Sequence, residues 1–240
     1  KQLAIDLAAT GYDVVCVSRS SAANPGKLEG TIEETAELVR ALGRRAMPVA
    51  VDVRDEVEVA RLAGIVYNEW GRCDLLVNNA GIAFATPALE DSTKRWRLVI
   101  DVNLHGPFYF LYYFAPRMAV GGGGHVVNIS SQASVDPYAG LVSYTASKAA
   151  LEALTGAIAR ELAGRVSVNA IRLEVPVWSE GYEANFGDAR ADQLEHPVIM
   201  SDAVLWFARQ PVTHSGHTFT IADLRERGAV RPQTLYHAPS

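Results

Sequence analysis

A chain of 240 residues, 49% hydrophobic and 20% charged, is long and apolar enough for one large α/β domain and too apolar for intrinsic disorder. A net charge of −5 without any run of Lys or Arg argues against a nucleic-acid partner. No apolar stretch reaches the ~18 residues of a membrane helix, so no membrane span is expected; no signal peptide is visible, which carries little weight where residues are expected upstream.

The chain opens inside a helix. Leu3, Ile5, Leu7 and Ala8 fall on one face, Gly11 reads as its stop, and Val14–Val17 forms a buried strand. A helix follows over Thr31–Leu42, with Ile32, Ala36, Val39 and Leu42 on one side, then a strand over Met47–Val53. Asp55–Trp70 is helical, with Val59, Leu62, Val66 and Trp70 aligned, and Asp74–Asn78 is again a strand. One long helix is expected over Thr93–Met118. The glycines at 121–124 precede a strand instead of opening a helix, so they read as a flexible connector, not a phosphate loop. The strand HVVNIS, a helix over Val142–Ala163 and a strand over Val166–Ile171 come next. An irregular segment runs over about 172–195, Ser201 is expected to cap a helix ending at Arg209, and His217–Ile221 is the last strand. Strands alternating with helices of this length specify a parallel sheet covered on both faces, here in a single domain over 1–240. Cys16 and Cys73, without CxxC spacing or a His cluster, read as reduced thiols, and no metal site is expected.

The stretch SYTASKAAL carries the most specific chemistry. Tyr144 and Lys148 lie four apart at the start of a helix and share a face. A phenol of ordinary pKa about 10 is a poor base at neutral pH, and a nearby ammonium favours its phenolate. Such a pair can exchange a proton with an alcohol or carbonyl oxygen. Alone, this spacing also describes a solvated helical pair. Ser130 and Ser131 end the preceding strand, where open parallel sheets hold their ligands.

With VNNAG at 77–81 and DVNLHG at 101–106, these motifs resemble the short-chain dehydrogenase/reductase family along essentially the whole chain. The resemblance implies a Rossmann-type doubly wound parallel sheet. It implies Tyr144 as general acid/base and Lys148 as the group that lowers its pKa and holds the nicotinamide ribose. Ser131 would hold the substrate oxygen, Asn103 would anchor a water in a proton relay, and Asn79, Ala80 and Gly81 would line the cofactor. Bland readings stay open: Asn103 as a helix cap or kink, Ser131 as a turn residue, VNNAG as a tight turn. In this family a first strand and a TGxxxGIG loop precede a helix like KQLAIDLAATG. The first strand and that loop are missing from the sequence given, and about 15–25 further residues are expected upstream.

Cofactor choice is read after the second strand of the family, where an acid grips the ribose 2′-hydroxyl in NAD enzymes. Here VSRS offers Ser18 and Arg19, and a guanidinium suits a 2′-phosphate, so NADP(H) is favoured over NAD(H). Asp52 and Val53 resemble the adenine-side element. The NPGKLEGTI insert and VDVRDE look like the hydroxysteroid-dehydrogenase-like and citronellol-dehydrogenase-like branch. Where the family keeps Pro-Gly after VNAI, this chain has Leu173 and Glu174, then Pro176, which has no N–H to donate, so Val177 is the candidate to hold the carboxamide. Trp178, Tyr182 and Phe186 fall where the family keeps a substrate lid and suit either a bulky apolar substrate or core packing.

The expectation is therefore an NADP(H)-dependent oxidoreductase acting on an alcohol, ketone or aldehyde, cytoplasmic and assembled as a homodimer or homotetramer. Phe108, Leu111, Tyr112 and Phe114 would serve either that assembly or the sheet. The competing class is a non-catalytic NADP(H)-sensing or scaffold protein on the same fold.

Overall fold

The computed structural model describes residues 1–26, 30–179, 182, 194–233 and 235. The chain divides into two compact units, one of Lys1–Asp52, Val175–Trp206 and Ile221–Ser240, the other of Val53–Glu174 and Phe207–Thr220.

In the first unit, α1 (Gln2–Ala9) leads through Gly11 into β1 (Val14–Ser18), α2 (Ile32–Ala41) and β2 (Ala46–Ala50), and β1 pairs in parallel with β2. Thr31 starts α2 with a capping box: its hydroxyl accepts from the Glu34 N–H, and the Glu34 carboxylate accepts from the Thr31 N–H. Ile32, Ala36 and Val39 are buried as the spacing predicts, whereas Leu42 is exposed because the helix has already ended there.

The second unit holds a four-stranded parallel sheet in the order β3-β4-β5-β6, with β3 Leu75–Asn78, β4 His125–Ser131, β5 Ser167–Leu173 and β6 Thr218–Thr220. α3 (Glu56–Trp70) begins at Asp55, whose carboxylate accepts from the N–H groups of Val57 and Glu58, and buries Val59, Leu62 and Val66. Its last residue is followed by Gly71 in the left-handed region, at φ 74°. In the chain β6 is followed at once by a short helix, α8 (Ile221–Glu226), which belongs to the first unit.

Three expectations change. The long helix is interrupted: α4 (Thr93–Ile100) and α5 (Gly106–Val120) flank a π-helical stretch, Asp101–His105, where the Gly106 N–H bonds to the Asp101 carbonyl. Pro107 is the cause, since it has no N–H to give the Asn103 carbonyl four residues back. Second, α7 spans Val198–Ala208 and starts before Ser201, which is buried within it. Pro197 precedes it, and His196 Nδ1 accepts from the Val198 N–H at 3.2 Å, so the imidazole takes the capping role expected of Ser201.

Third, the glycine run is a turn packed closely at Gly121, Gly123 and Gly124 and open at Gly122, where a flexible connector was expected. A Cβ at Gly124 would lie 2.5 Å from Met118 Cε and 2.9 Å from the Asp74 carbonyl oxygen, the same oxygen that accepts the His125 N–H. Gly124→Ala should therefore destabilise the protein by about 1–3 kcal/mol in urea unfolding. Gly156→Ala, in the interior of the helix α6 (Val142–Glu161) with no atom within 4 Å of the new methyl, should stabilise it by up to about 1 kcal/mol. Equal effects from the two would contradict the packing described.

The helix α6 is tied to the sheet by a buried polar ladder. Asn78 Nδ2 donates to Asn128 Oδ1 at 2.8 Å, Asn128 Nδ2 to Thr155 Oγ1 at 2.8 Å, and Thr155 Oγ1 to the Leu151 carbonyl at 2.7 Å. Fully satisfied buried networks of this kind fix one registration of helix on sheet. They set where the first turns of α6 lie above the end of β4.

Candidate active site

Ser131 is the last residue of β4, in extended conformation, and its Oγ accepts from the Ala133 N–H at 3.3 Å in a short 3₁₀ turn, Gln132–Ser134. Tyr144 and Lys148 occupy the first turns of α6. The Ser131 hydroxyl lies close enough to the Tyr144 phenol to favour its ionised form. Burial raises the phenol pKa above the ordinary 10, and Ser131 pulls in the opposite direction.

Lys148 is 4% exposed, its Nζ 5.6 Å from the centre of the Tyr144 ring and donating to the Ile129 carbonyl at 2.7 Å. Burial lowers its pKa to about 8, and the Glu152 carboxylate opposes that shift. The sequence expectation had the ammonium lowering the phenol. In the protein alone the phenol stands above its usual value because loss of water outweighs its neighbours.

Asn103 lies in the π-helical stretch, fully buried. Its amide donates to the Ile82 carbonyl at 2.9 Å and to Ser147 Oγ at 3.1 Å, while Oδ1 accepts from the Ile82 N–H at 2.9 Å. Ser147 Oγ in turn donates to the Tyr144 carbonyl at 2.7 Å, which links Asn103 to the helix carrying the phenol. A Cβ on Gly81 would sit 3.6 Å from Lys148 Nζ and 3.7 Å from Asn103 Oδ1. Asn103, Ser131, Tyr144, Lys148 and Gly81 are thus brought together, and Asn79 and Ala80 are exposed beside Gly81 after β3.

The other candidates fall as follows. Ser18 ends β1 and its Oγ accepts from the Ser20 N–H at 3.1 Å; Arg19 follows in a bend, exposed. Among the described residues the Arg19 guanidinium has no hydrogen-bond or ion-pair partner. Asp52 is half-buried after β2, and Val53 packs against Gly106, where a Cβ would be 3.1 Å from the Val53 carbonyl oxygen. Val177 forms a parallel bridge with Glu195, in which the Trp178 N–H bonds to the Glu195 carbonyl and the Glu195 N–H to the Pro176 carbonyl. That pattern turns the Val177 N–H to the other side. Trp178 and Tyr182 are half-buried, and Phe186 lies outside the described residues. Phe108 and Tyr112 face outward on α5 while Leu111 and Phe114 are buried, so this helix divides its apolar residues between two faces.

Within each unit, the donors present are of kinds a nicotinamide dinucleotide uses. In the second unit, the buried Lys148 ammonium has one hydrogen-bond acceptor among the described residues, the Ile129 carbonyl, and retains N–H donors of the kind that bind ribose hydroxyls; in the first, the exposed Arg19 guanidinium is of the kind that binds a phosphate. Sequence reading missed Glu152, one helical turn beyond Lys148, and Arg172 on β5, which pair at 2.6 Å. The continued four-residue spacing from Tyr144 through Lys148 to Glu152 was the available signal.

A family model described as short chain dehydrogenase matches residues 1–175. The chain belongs to the short-chain dehydrogenase family. Hydroxysteroid dehydrogenase-like protein 2 of Bos taurus is 29% identical over 232 residues, covering 95% of this chain and 55% of that protein. The human protein of the same name is 28% identical over 232 residues, with the same coverage. The chain thus spans about half the length of the curated relatives it matches. Among solved structures, a metagenomic short-chain oxidoreductase in complex with NADP is 29% identical, with a TM-score of 0.74 over 90% of this chain and 87% of that one. A structure described as a dehydrogenase from Xanthomonas campestris is 25% identical, with a TM-score of 0.85 over 95% and 85%. These likenesses agree with the parallel α/β Rossmann fold and with an oxidoreductase family that uses NAD(P). No helix among the described residues is long and apolar enough to cross a membrane.

Proposed function

We propose that this short-chain dehydrogenase family member is an NADP(H)-dependent alcohol dehydrogenase or carbonyl reductase in which Tyr144 is the general acid/base. The observation that carries this reading is the buried Lys148 ammonium 5.6 Å from the centre of the half-buried Tyr144 ring, with the Ser131 hydroxyl beside the phenol. When bound, the nicotinamide supplies or accepts the hydride. Ser131 orients the substrate oxygen, Tyr144 gives that oxygen a proton in reduction and takes it back in oxidation, and Lys148 binds the ribose hydroxyls. The Asn103 carbonyl, to which Pro107 has no N–H to give, holds a water that returns the proton to Tyr144. Ser18, Arg19, Asp52, Val53, Asn79, Ala80, Gly81 and the Val177 N–H complete the cofactor contacts.

A phenol is protonated at neutral pH, and burial raises the Tyr144 pKa further, so the protein alone is poised as an acid, the state that carbonyl reduction requires. The name of the curated relatives agrees with a bulky apolar substrate. The exposed Phe108 and Tyr112 suit a homodimer or homotetramer, and the setting is the cytoplasm.

Fluorescence titration of the full-length protein with NADPH and NADH, followed by a panel of apolar ketones, aldehydes and alcohols, tests the reading. Binding with turnover supports it; tight binding with no turnover across the panel favours a sensing or scaffold role. Arg19→Asp should shift the kcat/KM ratio toward NAD(H) by roughly tenfold or more, since a charge-assisted contact to phosphate becomes a repulsion. An unchanged ratio would remove Arg19 from cofactor choice.

A further inference from the structure

A second layer of charge lies behind the Ser131–Tyr144–Lys148 cluster. Glu152 Oε1 accepts from Ser130 Oγ and from Ser134 Oγ, each at 2.6 Å, and from Arg172 Nε at 3.1 Å. Its Oε2 accepts from the Arg172 guanidinium at 2.6 Å. The two serines bracket Ser131: Ser130 precedes it on β4, and Ser134 closes the 3₁₀ turn that follows. One carboxylate on α6 therefore ties together the end of β4, the turn after it and β5. The charged side chains are both largely buried, at 13% exposure for Glu152 and 22% for Arg172. Burial alone would raise the Glu152 carboxyl, but Arg172, Ser130 and Ser134 outweigh it and hold the group below the usual carboxylate value. It is ionised wherever the enzyme works.

The groups bonded to this carboxylate are Arg172 from β5, Ser130 from β4 and Ser134 from the turn, and the Lys148 ammonium is the charge one helical turn before it on α6. Strand alternation sends the Ser130 side chain to Glu152 and frees Ser131 to point at Tyr144. Strain on the clamp is thus transmitted to Ser131 through one residue of backbone.

We propose that Glu152 is a positioning residue: it clamps the strand end and turn on which Ser131 rides, and it keeps the Lys148 ammonium charged against its burial. The catalytic meaning rests on the oxidoreductase reading; the effect on Lys148 does not.

The test uses full-length protein labelled at lysine Cε, in which this chain contributes four lysines and Lys148 is assigned by its loss in Lys148→Met. Glu152→Gln keeps the shape and an acceptor for the serines but removes the charge. It should lower the NMR titration midpoint of Lys148 by roughly half a unit or more. Glu152→Ala should also cut kcat for ketone reduction by about ten- to a hundredfold, with the NADPH Kd within about twofold. A Ser130→Ala/Ser134→Ala double variant leaves the charge in place, and should lower kcat without moving Lys148. If the Glu152 variants do not fold, this double variant decides, and unchanged kcat would overturn the clamp. An unmoved Lys148 midpoint in Glu152→Gln overturns the electrostatic half. Wild-type turnover in Tyr144→Phe would instead remove Tyr144 as the acid/base, and no turnover by the wild type across the ketone panel would sink the oxidoreductase reading, with the Lys148 titration still judging Glu152.

Discussion

Tyr144→Phe is expected to lose roughly 10²- to 10⁴-fold in kcat while the NADPH Kd stays within about twofold of wild type. The variant deletes one oxygen from a site otherwise unchanged, because the aromatic ring keeps its place over the Lys148 ammonium. That oxygen carries the transferable proton and lies beside the Ser131 hydroxyl. Its removal therefore leaves the substrate oxygen with an orienting group and no acid. Steady-state kinetics together with coenzyme titration separate the two quantities. A parallel loss of coenzyme affinity would mean that the phenol binds and does not transfer protons.

Lys148→Met is expected to reduce kcat/KM by at least about 10²-fold, through lost ribose contacts and a phenol deprived of its neighbouring charge. It should also change how stability depends on pH. Lys148 has a folded pKa of about 8 against an ordinary 10.5. Below about 8 the ammonium is charged in both folded and unfolded chains, and its burial penalty is fully present. Between about 8 and 10.5 only the unfolded chain holds the proton, so stability rises with pH; above that range the penalty is gone. Across the window the wild type should gain on the order of 3 kcal/mol relative to Lys148→Met, the equivalent of that pKa difference. Urea unfolding of both proteins at pH 7, 9 and about 10.5 measures it. Parallel curves would show that the amine is not desolvated as described.

The order of strands and helices was legible because its signals are local. Apolar spacing marked Val59, Leu62 and Val66 as a buried face, and Thr31, Asp55 and Gly71 bounded their helices through side-chain and left-handed caps. Ser131, Tyr144 and Lys148 were legible as candidates because strand end and helix start are encoded in one short stretch. What was misread depends on partners distant in sequence or on the absence of an atom. The π-helical stretch follows from the N–H that Pro107 lacks, and the His196 cap required knowing that a ring nitrogen would face the Val198 N–H. The glycine turn looked flexible until Asp74 and Met118 were found against Gly124. The Glu152–Arg172 pair joins residues twenty apart through the register of β4 and β5, which periodicity does not encode.

The most direct test of the proton-transfer site is a transfer experiment with NADPH deuterated at nicotinamide C4 and an apolar ketone that the full-length protein turns over. Wild type should yield an alcohol with deuterium on its carbinol carbon, and Tyr144→Phe, saturated with the same coenzyme, should yield almost none over the same interval. Equal labelled alcohol from both proteins would contradict the account.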